Sequence, residues 1–374
     1  MISREKRLGF VLLIALDCLI VGAVGELWTR VAIPVKNICW TFDARLGPIF
    51  CPNQQTIGHV QRGYRNTFVS NSLGFHDVER QLEHPSSSYR IQVFGDSLIV
   101  AGGVRIEETI PAVVERLLDT SDTQSVEVLN MALLDSTSSA FLTYKHLGAS
   151  FRPDMVVLNF MDDFPDNLLE VHRQPHHPHH RLDGEGRLVS VPPVAKDLET
   201  PWERFKRFSR LYRSLANKLL ESRLYARARG AERELRFRLS SRSKEDRATD
   251  AEAERRRLLV ERGWPLTLEI LAAFQEQVER DGARFVLSDG GRLHVRNVGT
   301  VYSNRDIEAF CRERGIAYIP TYKAVDRLEA EPERSRFFLT DHHPTPLGNE
   351  VLGRFLAEKL AEMIEPGVAE GTSG

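Results

Sequence analysis

Ser97, His343 and Asp341 are the residues of this chain whose types and placement could do chemistry together. That chemistry is nucleophilic attack on an acyl carbon. Ser97 lies in the run Val93-Phe94-Gly95-Asp96-Ser97-Leu98-Ile99, after the β-favouring stretch Tyr89 to Phe94. Gly102-Gly103 and a helical pattern from Glu107 to Leu118 follow. A strand, a tight glycine turn, a serine and a helix put one hydroxyl at a strand's carboxyl end, where backbone N–H donors gather. A serine is a poor nucleophile at neutral pH and needs a base, which in turn needs an orienting carboxylate. Asp341 and His343 supply both in Thr340-Asp341-His342-His343-Pro344, just ahead of an amphipathic helix from about Pro346 to Met363. The plainer alternative is that Asp341 caps that helix and the histidines are surface residues.

Four segments, read in order, resemble the SGNH/GDSL hydrolase superfamily, and the resemblance covers the chain from about Thr67 onward. Asn71-Ser72-Leu73-Gly74-Phe75 resembles the entry segment of a membrane-anchored branch, with His76 where an arginine is usual. Gly95-Asp96-Ser97, with Gly103-Val104 and Glu107-Glu108-Thr109, resembles the first block. Asn159 to Asn167 resembles the third, and Asp341, His343, Pro344 and Gly348 resemble the fifth. The resemblance implies a Ser97–His343–Asp341 triad and a three-layer flavodoxin-like fold with a parallel sheet. It implies an oxyanion and substrate site near Asn130, Asp135, Asp162 and Asp163, and no cofactor.

The chain departs from the family where charge must be stabilised. Asn130 to Ser136 aligns with the second block, and Ala132 and Asp135 stand where glycines are expected. Asp135 keeps a backbone N–H but brings a carboxylate beside it. Asp162 stands in place of the oxyanion-hole asparagine, and an ionised carboxylate has no hydrogen to donate. Three readings stay open. Crowding among Asp135, Asp162 and Asp163 keeps one of them protonated and donating. The hole is dead and the domain binds without turnover. A local realignment brings in Asn130 or Asn159.

The elements that must position these residues alternate. Ile91–Phe94, Val126–Asn130, Met155–Phe160, Ala283–Ser288 and Ile316–Ile319 read as strands, with helices that include Leu266–Arg280 and Asn304–Arg314 between them. That alternation predicts an α/β fold with a parallel sheet and helices on both faces. The catalytic segments then fall at strand carboxyl ends, where open α/β sheets bind ligands. The organisation is an anchor over 1–27, a juxtamembrane and entry segment over 28–85, and a hydrolase-like domain over 86–365. An insertion occupies about 165–262, and a disordered tail 366–374.

The insertion opens with His172, His176, His177, His179 and His180 among prolines, which reads as a solvated loop and not a metal site. Leu182 to Leu188 reads as a glycine-turned hairpin. From Trp202 to Arg257 the pattern is helical and rich in arginine, with Phe205, Phe208, Leu211, Tyr212 and Leu215 on one face. That face is expected to pack on the hydrolase core, with anionic lipid headgroups as the alternative contact.

Arg4, Lys6 and Arg7 precede an apolar stretch that runs to Val24, broken by Asp17. It is about as long as the shortest bilayer span and lacks a cleavage pattern. It reads as an uncleaved signal anchor, basic end inside and catalytic domain outside the cytoplasm. Cys39 and Cys51 flank a short loop and could pair in an oxidising compartment. A formal net charge of −2 over 374 residues gives no nucleic-acid footprint. The expected function is a membrane-anchored esterase or O-acyltransferase acting on ester-linked acyl groups, acetyl by resemblance, of cell-surface glycans. Lipid esters come second. The rival is a catalytically silent carbohydrate-binding or scaffold protein of an envelope assembly.

Overall fold

The structure is a computed structural model that describes residues 4–32, 38–61, 64–84, 87–119, 125–133, 136–161, 167, 177–194, 209, 211–212, 215, 254, 257–291, 303–339 and 343–364. The chain forms two compact units, one of residues 1–37 and 197–250, the other of residues 38–196 and 251–374. Most of the predicted Trp202–Arg257 helix, and the tail after Ile364, lie outside the described residues.

The first unit holds helix α1, Arg4–Ala32, five residues longer at its C-terminal end than the anchor expected from sequence. Leu13, Leu16, Leu19, Val21, Leu27 and Trp28 are among its exposed apolar residues. Among the described residues no helix is long and apolar enough to cross a membrane. Polar residues account for much of this, since Asp17 interrupts the run and Glu26 pairs with Arg30 at 2.8 Å in the C-terminal turns. The side chains before Leu13 are outside the described set. Glu26 also accepts hydrogen bonds from Ser209 Oγ at 2.9 Å and the Leu211 N–H at 3.0 Å.

The second unit begins with two antiparallel pairs, β1 (Trp40–Asp43) with β2 (Gly47–Phe50), and β3 (Gln55–Gln61) with β4 (Tyr64–Val69). Cys39 and Cys51 form a disulfide across the first pair, Cα atoms 5.3 Å apart. Then come β5 (Ser88–Phe94), α2 (Ser97–Val100), α3 (Ile110–Leu118), β6 (Ser125–Asn130), α4 (Thr137–His146) and β7 (Met155–Met161). A hairpin of β8 (His179–Leu182) and β9 (Leu188–Val191) follows. The rest is α5 (Trp264–Arg280), β10 (Arg284–Gly291), α6 (Asn304–Arg314), β11 (Ala317–Ile319), α7 (Tyr322–Ala330) and α8 (Pro346–Ile364).

The central sheet has the order β11-β10-β7-β5-β6, and every pairing in it is parallel. Counted by place in the chain, β5, β6, β7, β10 and β11 stand in the flavodoxin-like order 2-1-3-4-5. The order reverses between β5 and β7. Ile91, Gln92, Val93 and Phe94 are all buried, and successive strand side chains point to opposite faces, so both faces are covered. On one face Phe94 meets the rings of Tyr144 and Phe274 from α4 and α5. Gly353 lets α8 close onto α3, where a Cβ would fall 2.6 Å from Val113 Cγ1.

Burial overrides the sequence reading of the histidine tract. His179 and His180 lie in β8 and are buried, not solvated. Ser138 Oγ meets both the N–H and Nδ1 of His180, and the His180 ring stacks on Phe141 at 5.3 Å. Burial pulls the His180 pKa down to about 4. His172 and His176 lie outside the described residues.

Candidate active site

Ser97 follows β5 directly, at the sheet's reversal point, where open α/β sheets place ligands. Asp96 caps the single turn of α2 by accepting the Leu98 N–H on its side chain at 2.9 Å. Ala101 closes that turn in left-handed conformation, φ 50°, with its N–H on the Ser97 carbonyl. Gly95 is required by crowding. A Cβ there would lie 2.6 Å from Ile99 Cγ1 and 3.2 Å from Asn159 Cβ.

The base arrives from the other end of the chain. His343 Nε2 lies 2.9 Å from Ser97 Oγ, across 246 residues of sequence. In the tautomer with its proton on Nδ1, Nε2 is the acceptor for the serine hydroxyl. The segment around His343 is held by its backbone. Leu339 N–H donates to the His343 carbonyl at 2.7 Å, and Thr345 N–H to the Phe337 carbonyl at 2.8 Å. Thr345 then starts α8, its Oγ1 accepting the Gly348 N–H at 3.2 Å.

The loop after Ser97 is pinned from the entry segment. Asn66 Nδ2 donates to the carbonyls of Gly102 and Val104 at 3.3 and 2.8 Å. His76 lies buried in the same segment. Its ring stacks on Phe68 at 4.5 Å, with Nδ1 2.6 Å from the Val69 carbonyl oxygen and Nε2 3.2 Å from that of Val104; burial lowers its pKa, and the neutral ring can donate to one of the two. Asp77, with its Arg80 pair at 3.1 Å, and Arg80's second partner Glu115 fasten this segment to the domain. Sequence reasoning named none of Asn66, Asp77 and Arg80, since a polar residue that ties a loop leaves no periodic signal.

Asn130 is brought to the same region but its amide is spent. Nδ2 donates to the carbonyls of His76 and Ile99 at 3.2 and 3.0 Å, and Oδ1 accepts the Ala132 N–H. Both of its hydrogens brace the fold, which does not suit the expected oxyanion role. Asp341, Asp135, Asp162 and Asp163 lie outside the described residues. Asn167, at the end of the third block, is a brace as well, with Oδ1 on the Ser138 N–H and Nδ2 on Thr267 Oγ1. Among the described residues no histidine, cysteine and carboxylate cluster could hold a metal.

No protein-family model and no curated protein sequence matches the chain. The solved structures it is similar to include a lipolytic protein of the G-D-S-L family from Desulfitobacterium hafniense, 12% identical with a TM-score of 0.39, covering 72% of this chain and 98% of its own. TesA is 13% identical with a TM-score of 0.39, covering 74% of this chain and 99% of its own. The esterase EstA from Pseudoalteromonas sp. is 10% identical with a TM-score of 0.40, covering 74% and 98%. Axe2, an acetylxylan esterase from Geobacillus stearothermophilus, is 12% identical with a TM-score of 0.37, covering 73% and 94%.

Proposed function

We propose that the protein is a serine esterase or O-acyltransferase acting on ester-linked acyl groups. One observation carries this reading: the 2.9 Å contact between Ser97 Oγ and His343 Nε2 at the sheet's reversal point. Ser97 Oγ attacks the acyl carbon as His343 Nε2 takes its proton, and Asp341 orients the imidazole. The backbone N–H groups of Ser97 and Asp135 meet the oxyanion, with Asp162 and Asp163 beside it. His343 returns the proton to the leaving alcohol, and water or another hydroxyl then takes the acyl group from Ser97. An acetyl ester of a cell-surface glycan is the substrate the sequence resemblance implies, with lipid esters second. Membrane attachment through α1, with the catalytic unit outside the cytoplasm, is supported by that helix's exposed apolar residues and by the Cys39–Cys51 disulfide.

The test is release of nitrophenol or acetate from acetyl esters by the purified protein. Ser97→Ala is expected to abolish it. Turnover equal to that of Ser97→Ala across several acyl esters would favour the second reading, a silent carbohydrate-binding protein. The carboxylate at position 162 favours that reading.

A further inference from the structure

A four-residue turn, Ala101 to Val104, touches the segments that carry both Ser97 and His343. Its first residue closes α2, with the Ala101 N–H on the Ser97 carbonyl at 3.0 Å. Its third meets the segment of the base, since a Cβ at Gly103 would lie 3.5 Å from Leu339 Cδ1. Leu339 in turn donates its N–H to the His343 carbonyl at 2.7 Å. A shift of this turn therefore reaches the nucleophile through Ala101 and the base through Gly103.

The turn is not relaxed. Ala101 has φ 50° and ψ 38°, a left-handed conformation that glycine adopts freely and alanine disfavours. Such a residue persists only where its surroundings over-determine it. Within the turn, the Val104 N–H donates to the Ala101 carbonyl at 3.0 Å. The stronger constraint comes from β4. Asn66 is 2% exposed, and its Nδ2 donates to the Gly102 carbonyl at 3.3 Å and the Val104 carbonyl at 2.8 Å. One planar amide thus fixes two carbonyls on the C-terminal side of Ala101. Phe68, two residues along the same strand, closes over Gly102, where a Cβ would lie 3.5 Å from Phe68 Cε2.

We infer that Asn66 is a positioning residue for the Ser97–His343 pair. This rests on the esterase reading above. By holding Gly102 and Val104, Asn66 keeps Ala101 left-handed and Gly103 against Leu339. It thereby sets the 2.9 Å gap between Ser97 Oγ and His343 Nε2. As the bond from Oγ to the acyl carbon forms, the carbonyl π pair moves onto oxygen and the hydroxyl proton crosses that gap to Nε2. A general base must sit within hydrogen-bond reach of the proton it takes, so the width of the gap governs the rate. Asn66 acts on this proton transfer and not on the binding of the acyl group, because its amide is spent on the two carbonyls.

The experiment compares kcat and KM in the full chain for wild type, Asn66→Ala, Asn66→Ser, Ala101→Gly and the double variant Asn66→Ala with Ala101→Gly. The probe is a nitrophenyl acetyl ester, at a temperature where circular dichroism shows every variant folded. Asn66→Ala is expected to lower kcat on the order of ten- to a hundred-fold, the scale for a misplaced reacting group, with KM little changed. Asn66→Ser keeps a single donor and is expected to lose less. Glycine takes the left-handed conformation unaided, so the double variant should recover at least about threefold in kcat over Asn66→Ala. A residue that only stabilised the fold would give no such recovery among folded proteins. Should Asn66→Ala not fold, Asn66→Ser with and without Ala101→Gly carries the same comparison. Turnover within threefold of wild type in Asn66→Ala, or no recovery in the double variant, overturns the inference and leaves the esterase reading intact. Absence of Ser97-dependent turnover in wild type overturns the esterase reading and this inference with it.

Discussion

Gly348 packs so closely on Phe337 that a Cβ at position 348 would lie 2.2 Å from the Phe337 carbonyl oxygen. That carbonyl also accepts the Thr345 N–H. The contact therefore sets the bend between Phe337 and α8 from which His343 reaches Ser97.

Gly348→Ala must move backbone, because the clashing atom is a carbonyl oxygen and not the end of a flexible side chain. Overpacking of this kind costs about 1–3 kcal/mol of stability. Displacing His343 by even an ångström should lower esterase turnover on the order of a hundredfold. Gly184→Ala is the control, since nothing lies within 4 Å of a Cβ there. Equal turnover in Gly348→Ala and wild type would separate this contact from the catalytic pair.

His180 gives the hairpin β8–β9 a defined response to acid. Burial lowers its pKa from 6.5 to about 4 in the folded chain. Between those values the unfolded chain binds the extra proton and the folded chain does not, so stability falls as pH drops from about 6.5 toward 4. At roughly 1.4 kcal/mol per pH unit, the full loss over about 2.5 units is about 3.5 kcal/mol. His180→Gln keeps a polar group beside Ser138 Oγ and does not titrate there. Its thermal midpoint should decline less than that of wild type between pH 7 and pH 4.5. His76, whose pKa is also lowered by burial, remains in both proteins. Parallel declines would show that His180 is not held neutral.

Much of the sheet was legible in the sequence because its strands are buried on both faces. Continuous apolar runs such as Met155–Phe160 result, and the observed β7 matches that run to within a residue. The serine and its base were legible from residue type and flanking glycines. Their 2.9 Å contact belongs to the fold, which joins positions 246 residues apart. Helix α4 escaped notice because Thr137, Ser138, Ser139 and Thr143 occupy buried positions where a periodic reading expects apolar residues. The strand pairs between Trp40 and Val69 are short and carry polar residues such as Gln55, Asn66 and Thr67. Only their partners define them. The burial of His180 depends on Ser138, which is 42 residues away.

Membrane attachment is the prediction drawn from α1, whose Leu19 is 71% exposed and Val31 81%. Apolar side chains left open along one helix invite cover, and lipid is the cover this prediction tests. The full chain should stay with membranes through a carbonate wash. Leu19→Arg together with Ile20→Arg should weaken that retention, because each puts a charge among the apolar side chains that the attachment would use. Recovery of the wild-type chain in the soluble fraction would rule the attachment out.

Position 162 tests the electrostatics of the proposed site from the side of charge. An ionised carboxylate beside a developing oxyanion repels it, and an amide of the same shape both removes that charge and offers an N–H. Asp162→Asn should therefore raise kcat tenfold or more, with a ceiling on the order of a hundred- to a thousand-fold, the worth of one donor. KM for a nitrophenyl acetyl ester should change little, because the oxyanion exists only after Ser97 has begun its attack. A protonated Asp162 would already donate, and the gain from Asp162→Asn would then appear only as pH rises and the carboxyl ionises. Measuring kcat for both proteins across pH separates the two cases. If kcat is the same for wild type and Asp162→Asn at every pH, the side chain at 162 does not face the acyl oxygen, and the segment's resemblance to the third block misplaces it.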